Sequence, residues 1–259
     1  MSFDLFYKEQ GDPQGCPLVF IHAFPFRHEM WESQLSSLPE KFRAVTYDIR
    51  GLGQSPLGEG QFTMESYVED LLLLLDHLKT PRAILCGLSL GGYIALRAIE
   101  RSPERFNGLV LCDTRSEADQ NEAKLKRAES IKQLKTQGVQ AFAKSFLPNL
   151  FSAWTQENNS DLVTTVEEII LSQTAPAIAT AQLAIVSRTD TTEALAKIRV
   201  PTLILVGEED RLTPVADARA LQQRIPGSRL EVIPQAGHMS NLENPGEFNR
   251  HLLSFLEGF

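Results

Sequence analysis

The 259-residue sequence predicts an α/β fold, a mostly parallel, doubly wound sheet with a helical cap inserted between sheet strands. Three features carry the prediction. Short runs that are apolar throughout recur along the chain, helical patterns separate them at both ends, and from about Arg115 to Lys197 the helices continue without strands. A strand that is apolar on both sides suits a parallel sheet, whose two faces are covered by helices. Alternation of such strands with helices is the pattern of a doubly wound sheet.

Taken in order, Leu18 to Ile21 and Ala44 to Tyr47 read as the first strands, and Met64 to Leu78 as the first long amphipathic helix. A strand at Ala83 to Cys86, a helix at Leu90 to Glu100 and a strand at Leu109 to Cys112 follow. The alternation then breaks. Lys124 to Lys135, Val139 to Leu147, Leu162 to Gln173 and Ala177 to Val186 all read as helices. Pro148 and Pro176 punctuate them, because proline removes a backbone donor and disfavours helix in the residue before it. Regular order returns with a strand at Thr202 to Val206, a helix at Val215 to Ile225, a strand at Leu230 to Ile233 and a helix at Glu247 to Leu256. The expected organisation is a core of residues 1–114 and 198–259 with a helical cap at 115–197. No repeat or flexible linker separates the two, so the insertion is expected to pack on the sheet as a lid.

The chain carries 42% hydrophobic residues, enough for one substantial core, and a formal charge of −8. That charge offers no electrostatic reason to expect nucleic acid or an anionic membrane as a partner. The densest basic group, Lys124 to Arg127, lies beside Glu122 and Glu129 and reads as a solvated helix face. The longest aliphatic run, Leu71 to Leu75, falls far short of the ~20 residues of a membrane span, so no span is expected. The N-terminus shows no secretory leader, and a cytoplasmic location is expected. Cys16, Cys86 and Cys112 are odd in number and lack metal-ligand spacing, which favours free thiols over a disulfide framework.

Gly87-Leu88-Ser89-Leu90-Gly91 lies between a strand and a helix. In that position a G-x-S-x-G segment forms a strained turn that presents the serine oxygen, the glycines relieving the crowding on either side. A serine hydroxyl is a weak nucleophile near neutral pH and needs a base within hydrogen-bond reach, itself held by a third group. Downstream, Gly207-Glu208-Glu209-Asp210 follows one apolar strand and Gln235-Ala236-Gly237-His238 follows the next. Glu208, Glu209 and Asp210 all compete as the acid, and Asp210 could instead serve as a helix cap before Thr213-Pro214. Of the five histidines only His22 and His238 stand at strand ends; His28, His77 and His251 lie in helical or polar segments, where exposure is expected.

Ser89, Asp210 and His238, each just past a strand and in that chain order, resemble the catalytic triad of the α/β-hydrolase superfamily. The resemblance covers nearly all of the chain outside the insertion. It implies Ser89 as nucleophile, His238 as general base and Asp210 as the orienting acid, in an α/β-hydrolase fold. His22-Ala23-Phe24-Pro25 is similar to the H-G-x-P oxyanion loop of these enzymes, which implies the backbone amides of Phe24 and Leu90 as oxyanion donors. Ala23 stands where glycine is usual, which narrows the backbone conformations open to the loop. His22 is expected to brace the loop. Asp48-Ile49-Arg50-Gly51-Leu52-Gly53-Gln54-Ser55 is similar to the family's D-x-R-G-x-G-x-S loop and is expected to be structural.

The plan looks like the branch of esterases, 3-oxoadipate enol-lactonases and C–C bond hydrolases. It implies hydrolysis of a small-molecule carboxylic ester or lactone through an acyl-enzyme on Ser89, with no cofactor and no metal. C–C bond or thioester hydrolysis and perhydrolysis would use the same residues, and a non-catalytic ligand receptor would keep the fold alone. Phe24, Phe26, Trp31, Trp154 and Met239 are candidates for an apolar pocket. No ring of lysine or arginine for a dicarboxylate is evident in the cap.

Overall fold

A computed structural model describes residues 4–60 and 62–259, so Met1-Ser2-Phe3 of the N-terminus lies outside the described residues. The first half of the chain forms β1 (Tyr7–Gly11), β2 (Cys16–Ile21), α1 (Glu32–Ser37), β3 (Phe42–Tyr47), α2 (Met64–His77), β4 (Ala83–Leu88), α3 (Leu90–Arg101) and β5 (Phe106–Cys112). Four helices follow: α4 (Asn121–Phe146), α5 (Ala153–Asn158), α6 (Ser160–Leu171) and α7 (Ala175–Val186). The chain then returns through β6 (Thr202–Gly207), α8 (Val215–Arg224), β7 (Arg229–Ile233), α9 (Ser240–Glu243) and α10 (Pro245–Leu256).

The strands form one sheet in the order β1-β3-β2-β4-β5-β6-β7. Every pairing is parallel except β1 with β3. The fully apolar runs occupy its centre, where β4 and β6 are buried along their whole length. β1 escapes sequence reading because Tyr7-Lys8-Glu9-Gln10 has no apolar face. It needs none, since it lies at the sheet edge with four of its five residues exposed.

Between β5 and β6 the chain is helical, as expected. α4 is broken at Gly138, whose φ of 82° and ψ of 178° separate the two helices read in the sequence. α7 is buried on nearly every side, and its alanines at 177, 181 and 184 permit close packing. The short α5 was not anticipated; the Ser152 side chain caps it by accepting from the Thr155 amide at 3.1 Å. Two histidines depart from expectation. His28 and His251 are buried, His28 against Asp48 and His251 beside Arg229 and Glu231, because carboxylate and guanidinium partners from other elements surround them. The thiols of Cys86 and Cys112 are buried and free, 4.0 Å apart on neighbouring strands, and Cys16 is half-buried.

Candidate active site

Ser89 stands between the end of β4 and the start of α3 with φ 54° and ψ −109°, a left-handed conformation that an L-residue adopts only when its surroundings enforce it. Its amide donates to the Cys112 carbonyl at 2.9 Å, and its own carbonyl accepts from the Thr114 hydroxyl at 2.9 Å. The turn is tight enough that a Cβ at Gly91 would lie 2.1 Å from the Ile21 carbonyl oxygen, so α3 can cross β2 this closely only with glycine there. Ser89 is half-exposed, whereas the strand before it and Leu90 after it are buried.

Asp210 and His238 meet although 28 residues separate them. His238 Nδ1 lies 2.8 Å from Asp210 Oδ2, and both side chains are buried. The same carboxylate oxygen accepts from the Thr213 hydroxyl at 2.7 Å, while Oδ1 accepts from the amides of Leu212 at 2.8 Å and Thr213 at 3.0 Å. Burial alone would raise the carboxyl pKa, but His238 and the Thr213 donors outweigh it and hold Asp210 below the usual carboxylate range. Asp210 therefore combines two roles read as alternatives, fixing the turn before α8 and facing an imidazole. Of its rivals, Glu208 is exposed, and Glu209 accepts from the Ala153 amide at 2.9 Å. Glu209 is half-buried, because α5 packs over it.

His22 braces the oxyanion-type loop as anticipated. Its Nε2 accepts from the Ile49 amide at 2.8 Å, which leaves Nδ1 to donate to the Ala23 carbonyl at 2.8 Å. Burial lowers its pKa, in keeping with a neutral ring. Ala23 in place of glycine brings no strain, for the non-glycine residues described with positive φ are Lys79, Ser89, Asp113 and Gln235. Asp48 organises the second loop by accepting from the His28 amide and ring and from the Gln54 amide. Gln173 of the helical insertion reaches down to the Gly53 amide at 3.0 Å.

Ser89, His238, Thr213 and Phe24 line one cavity of about 300 Å³, to which residues of the insertion contribute most of the remaining wall. Its apolar wall is Phe24, Phe142, Phe146, Ile185 and Leu212. Phe24 packs edge-on against Phe142 and Phe146, which stack on each other with centroids 5.2 Å apart. The other aromatic and Met candidates fall elsewhere. Phe26, Trp31 and Met239 are core residues, Trp31 packing between Phe20 and Phe248, and Trp154 is 43% exposed. Phe142, Phe146 and Tyr93 escaped notice because only the tertiary fold turns them toward Ser89.

The cavity also corrects the expectation that no cations gather here. Among the described residues Arg115, Lys126 and Arg127 line it and no carboxylate does, and Lys126 pairs with Glu122 at 2.8 Å. Buried Asp119 behind the wall gathers Arg115, Arg127 and Arg188 at 3.1, 2.6 and 2.7 Å. Burial raises the pKa of that carboxyl, but Arg127 and Arg188 draw it below its ordinary value. Within the group at Lys124 to Arg127 the first three residues are exposed, as expected, and Arg127 alone is half-buried, against Asp119. No cluster able to hold a metal ion occurs among the described residues, and no single helix among them is long and apolar enough to cross a membrane.

Residues 17–245 match the family described as alpha/beta hydrolase fold. The chain is 31% identical to 3-oxoadipate enol-lactonase 1 of Acinetobacter baylyi, over 95% of this chain and 90% of the relative. A thermophilic esterase from Thermogutta terrifontis, solved with malate bound, superposes with a TM-score of 0.93 at 34% identity, over 98% of this chain and 93% of that one. The enol-lactonase from Burkholderia xenovorans LB400 gives a TM-score of 0.91 at 29% identity, over 98% and 96%.

Proposed function

The chain belongs to the α/β-hydrolase fold family, and from that premise we propose a serine hydrolase that cleaves a small-molecule carboxylic ester or lactone bearing a second, anionic group. Ser89 attacks the carbonyl while His238 takes its proton, and Asp210 holds the imidazole in the tautomer that leaves Nε2 free to accept. The amides of Phe24 and Leu90 stabilise the oxyanion, His238 returns the proton to the leaving alkoxide, and water hydrolyses the acyl-enzyme. None of these steps calls for a metal or an organic cofactor.

The observation that carries this reading is the buried Asp210–His238 contact at the wall of the cavity that holds Ser89. An anionic substrate is favoured by Arg115, Lys126 and Arg127 on a wall without carboxylates, in a chain whose net charge is negative. Relatives named for 3-oxoadipate enol-lactone and an esterase with malate bound point to the same chemistry. The insertion, residues 115–197, acts in this reading as a cap that sets substrate choice, since it supplies the cationic wall and, together with Phe24, the aromatic one.

The test compares p-nitrophenyl hemisuccinate with p-nitrophenyl butyrate in wild type and in Ser89→Ala. Wild type is expected to prefer the hemisuccinate at low ionic strength and to lose the preference as salt screens the cations. Ser89→Ala is expected to lose turnover of both by several orders of magnitude. Equal kcat/KM for the two esters at every salt concentration would remove the anionic part of the proposal, and undiminished turnover by Ser89→Ala would remove the nucleophile. C–C bond and thioester substrates and peracid formation belong in the same screen, because the same triad serves them. A fluorophosphonate that failed to label Ser89 would favour a non-catalytic receptor.

A further inference from the structure

Around the proposed base lies a buried carboxylate that the mechanism above does not use. Glu243, at the end of α9, accepts from three backbone amides. Its Oε1 receives Gly237 N–H at 2.7 Å and Met239 N–H at 3.3 Å, the amides of the residues before and after His238. Its Oε2 receives Ser152 N–H at 2.8 Å, from the helical insertion. One side chain therefore grips the histidine loop and the insertion together.

The two segments are joined at further points. The His238 amide itself donates to the Leu150 carbonyl at 2.8 Å, and the Ser152 hydroxyl donates to the Gln235 carbonyl at 3.1 Å. Glu209, next to the proposed acid, receives the Ala153 amide. The approach is so close that a Cβ on Gly237 would lie 2.6 Å from the Ser152 nitrogen. Residues 150–153 are consequently part of the seat of His238. On the opposite side Asp113 accepts from the Gly207 amide at 2.8 Å and from the Ser240 hydroxyl, tying the acid loop to the same histidine loop.

We infer that Glu243 is a positioning residue that couples the seating of the helical insertion to the placement of His238. The inference rests on the proposed role of His238 as general base. A carboxylate suits the position because all three partners are N–H donors, and a charged acceptor binds such donors more strongly than a neutral one. Glutamine cannot replace it: whichever way its amide turns, an N–H of the side chain faces an N–H of the backbone. Either the histidine loop or the insertion loses its hold.

Glu243→Gln tests this with p-nitrophenyl acetate, an ester too small to depend on the far wall of the cavity. The variant is expected to lower kcat by about tenfold to a hundredfold, the usual consequence of displacing a reacting group by a fraction of an ångström to an ångström. KM should change by less than about twofold, and fluorophosphonate labelling of Ser89 should slow by the same factor as kcat. The downfield proton resonance of the His238 Nδ1–H bonded to Asp210 should shift or broaden. A purely structural role would instead lower the melting temperature while leaving the labelling rate and resonance of the folded fraction unchanged, which would overturn the inference. Should Glu243→Gln fail to fold, Ser152→Pro and Ser152→Ala answer the same question from the other side. Ser152 has φ −61°, which proline tolerates, and both variants lose the hydroxyl while only proline loses the N–H. Slower labelling in Ser152→Pro than in Ser152→Ala supports the coupling, and equal rates refute it. If wild type itself neither hydrolyses esters nor labels at Ser89, the hydrolase reading fails independently of this one.

Discussion

Asp210→Asn is expected to reduce kcat by about four orders of magnitude with little loss of fold, and the hydrogen bonds at the site explain why. Asp210 Oδ1 accepts from two backbone amides, Leu212 at 2.8 Å and Thr213 at 3.0 Å, which can only donate. The carboxamide oxygen must stay with them. Its NH2 group is thereby forced to the other side, where Oδ2 now receives His238 Nδ1 at 2.8 Å. An amide NH2 can bond only to an unprotonated Nδ1, so the ring proton moves to Nε2, and Nε2 can no longer accept from Ser89. The imidazolium formed during attack also loses its counter-charge. A factor of about 10⁴ corresponds to about 5.5 kcal/mol of transition-state stabilisation. The assay is steady-state hydrolysis of p-nitrophenyl acetate together with Ser89 labelling, on protein whose melting temperature lies within a few degrees of wild type. A folded variant that kept more than about a tenth of wild-type kcat would refute the assignment of the acid and the tautomer argument with it.

Further outcomes follow from neighbouring residues. Glu209→Gln should cost less than about threefold in kcat, because the glutamine oxygen can still accept from the Ala153 amide and the position carries no contact to the imidazole. Asp113 is buried beside Asp210, and burial first, then the Asp210 charge, pushes its carboxyl well above the usual range. Its contribution to stability is therefore full below the unfolded value of about 3.9 and is lost as pH rises toward the folded value. Asp113→Asn, which can still accept from Gly207 and donate to Ser240, should melt higher than wild type at neutral pH, and the gap should close near about pH 4. Melting curves across that range that show no widening gap would contradict a neutral Asp113. Gly91→Ala places a methyl 2.1 Å from the Ile21 carbonyl oxygen and should destabilise by about 1–3 kcal/mol or more, read by denaturant unfolding. Phe146→Ala removes one ring of the stacked aromatic pair and should raise the relative kcat/KM for longer acyl esters; an unchanged chain-length ranking would place the acyl group elsewhere.

The central strands and the proposed catalytic positions are legible in the chain alone, because both are written in local pattern. Apolar runs such as Ala83 to Cys86 and Thr202 to Val206 can satisfy their burial only as central strands, and a loop directly after a parallel strand must emerge at the sheet's carboxyl edge. Ser89, Asp210 and His238 could therefore be placed at one edge before any contact was known. Glycine and serine at the elbow were equally legible, since the turn's crowding demands them locally. Features set by pairing between segments are not legible in this way. Whether Glu209 faces water is settled by Ala153, 56 residues away, and whether Arg127 sits on a solvated face is settled by buried Asp119 and the cavity beyond it. The burial of His28 depends on Asp48, and the approach of Glu243 to Ser152 spans 91 residues. Hydrogen bonds and ion pairs of this kind leave no period in the sequence, because the partner is selected by the fold rather than by spacing along the chain.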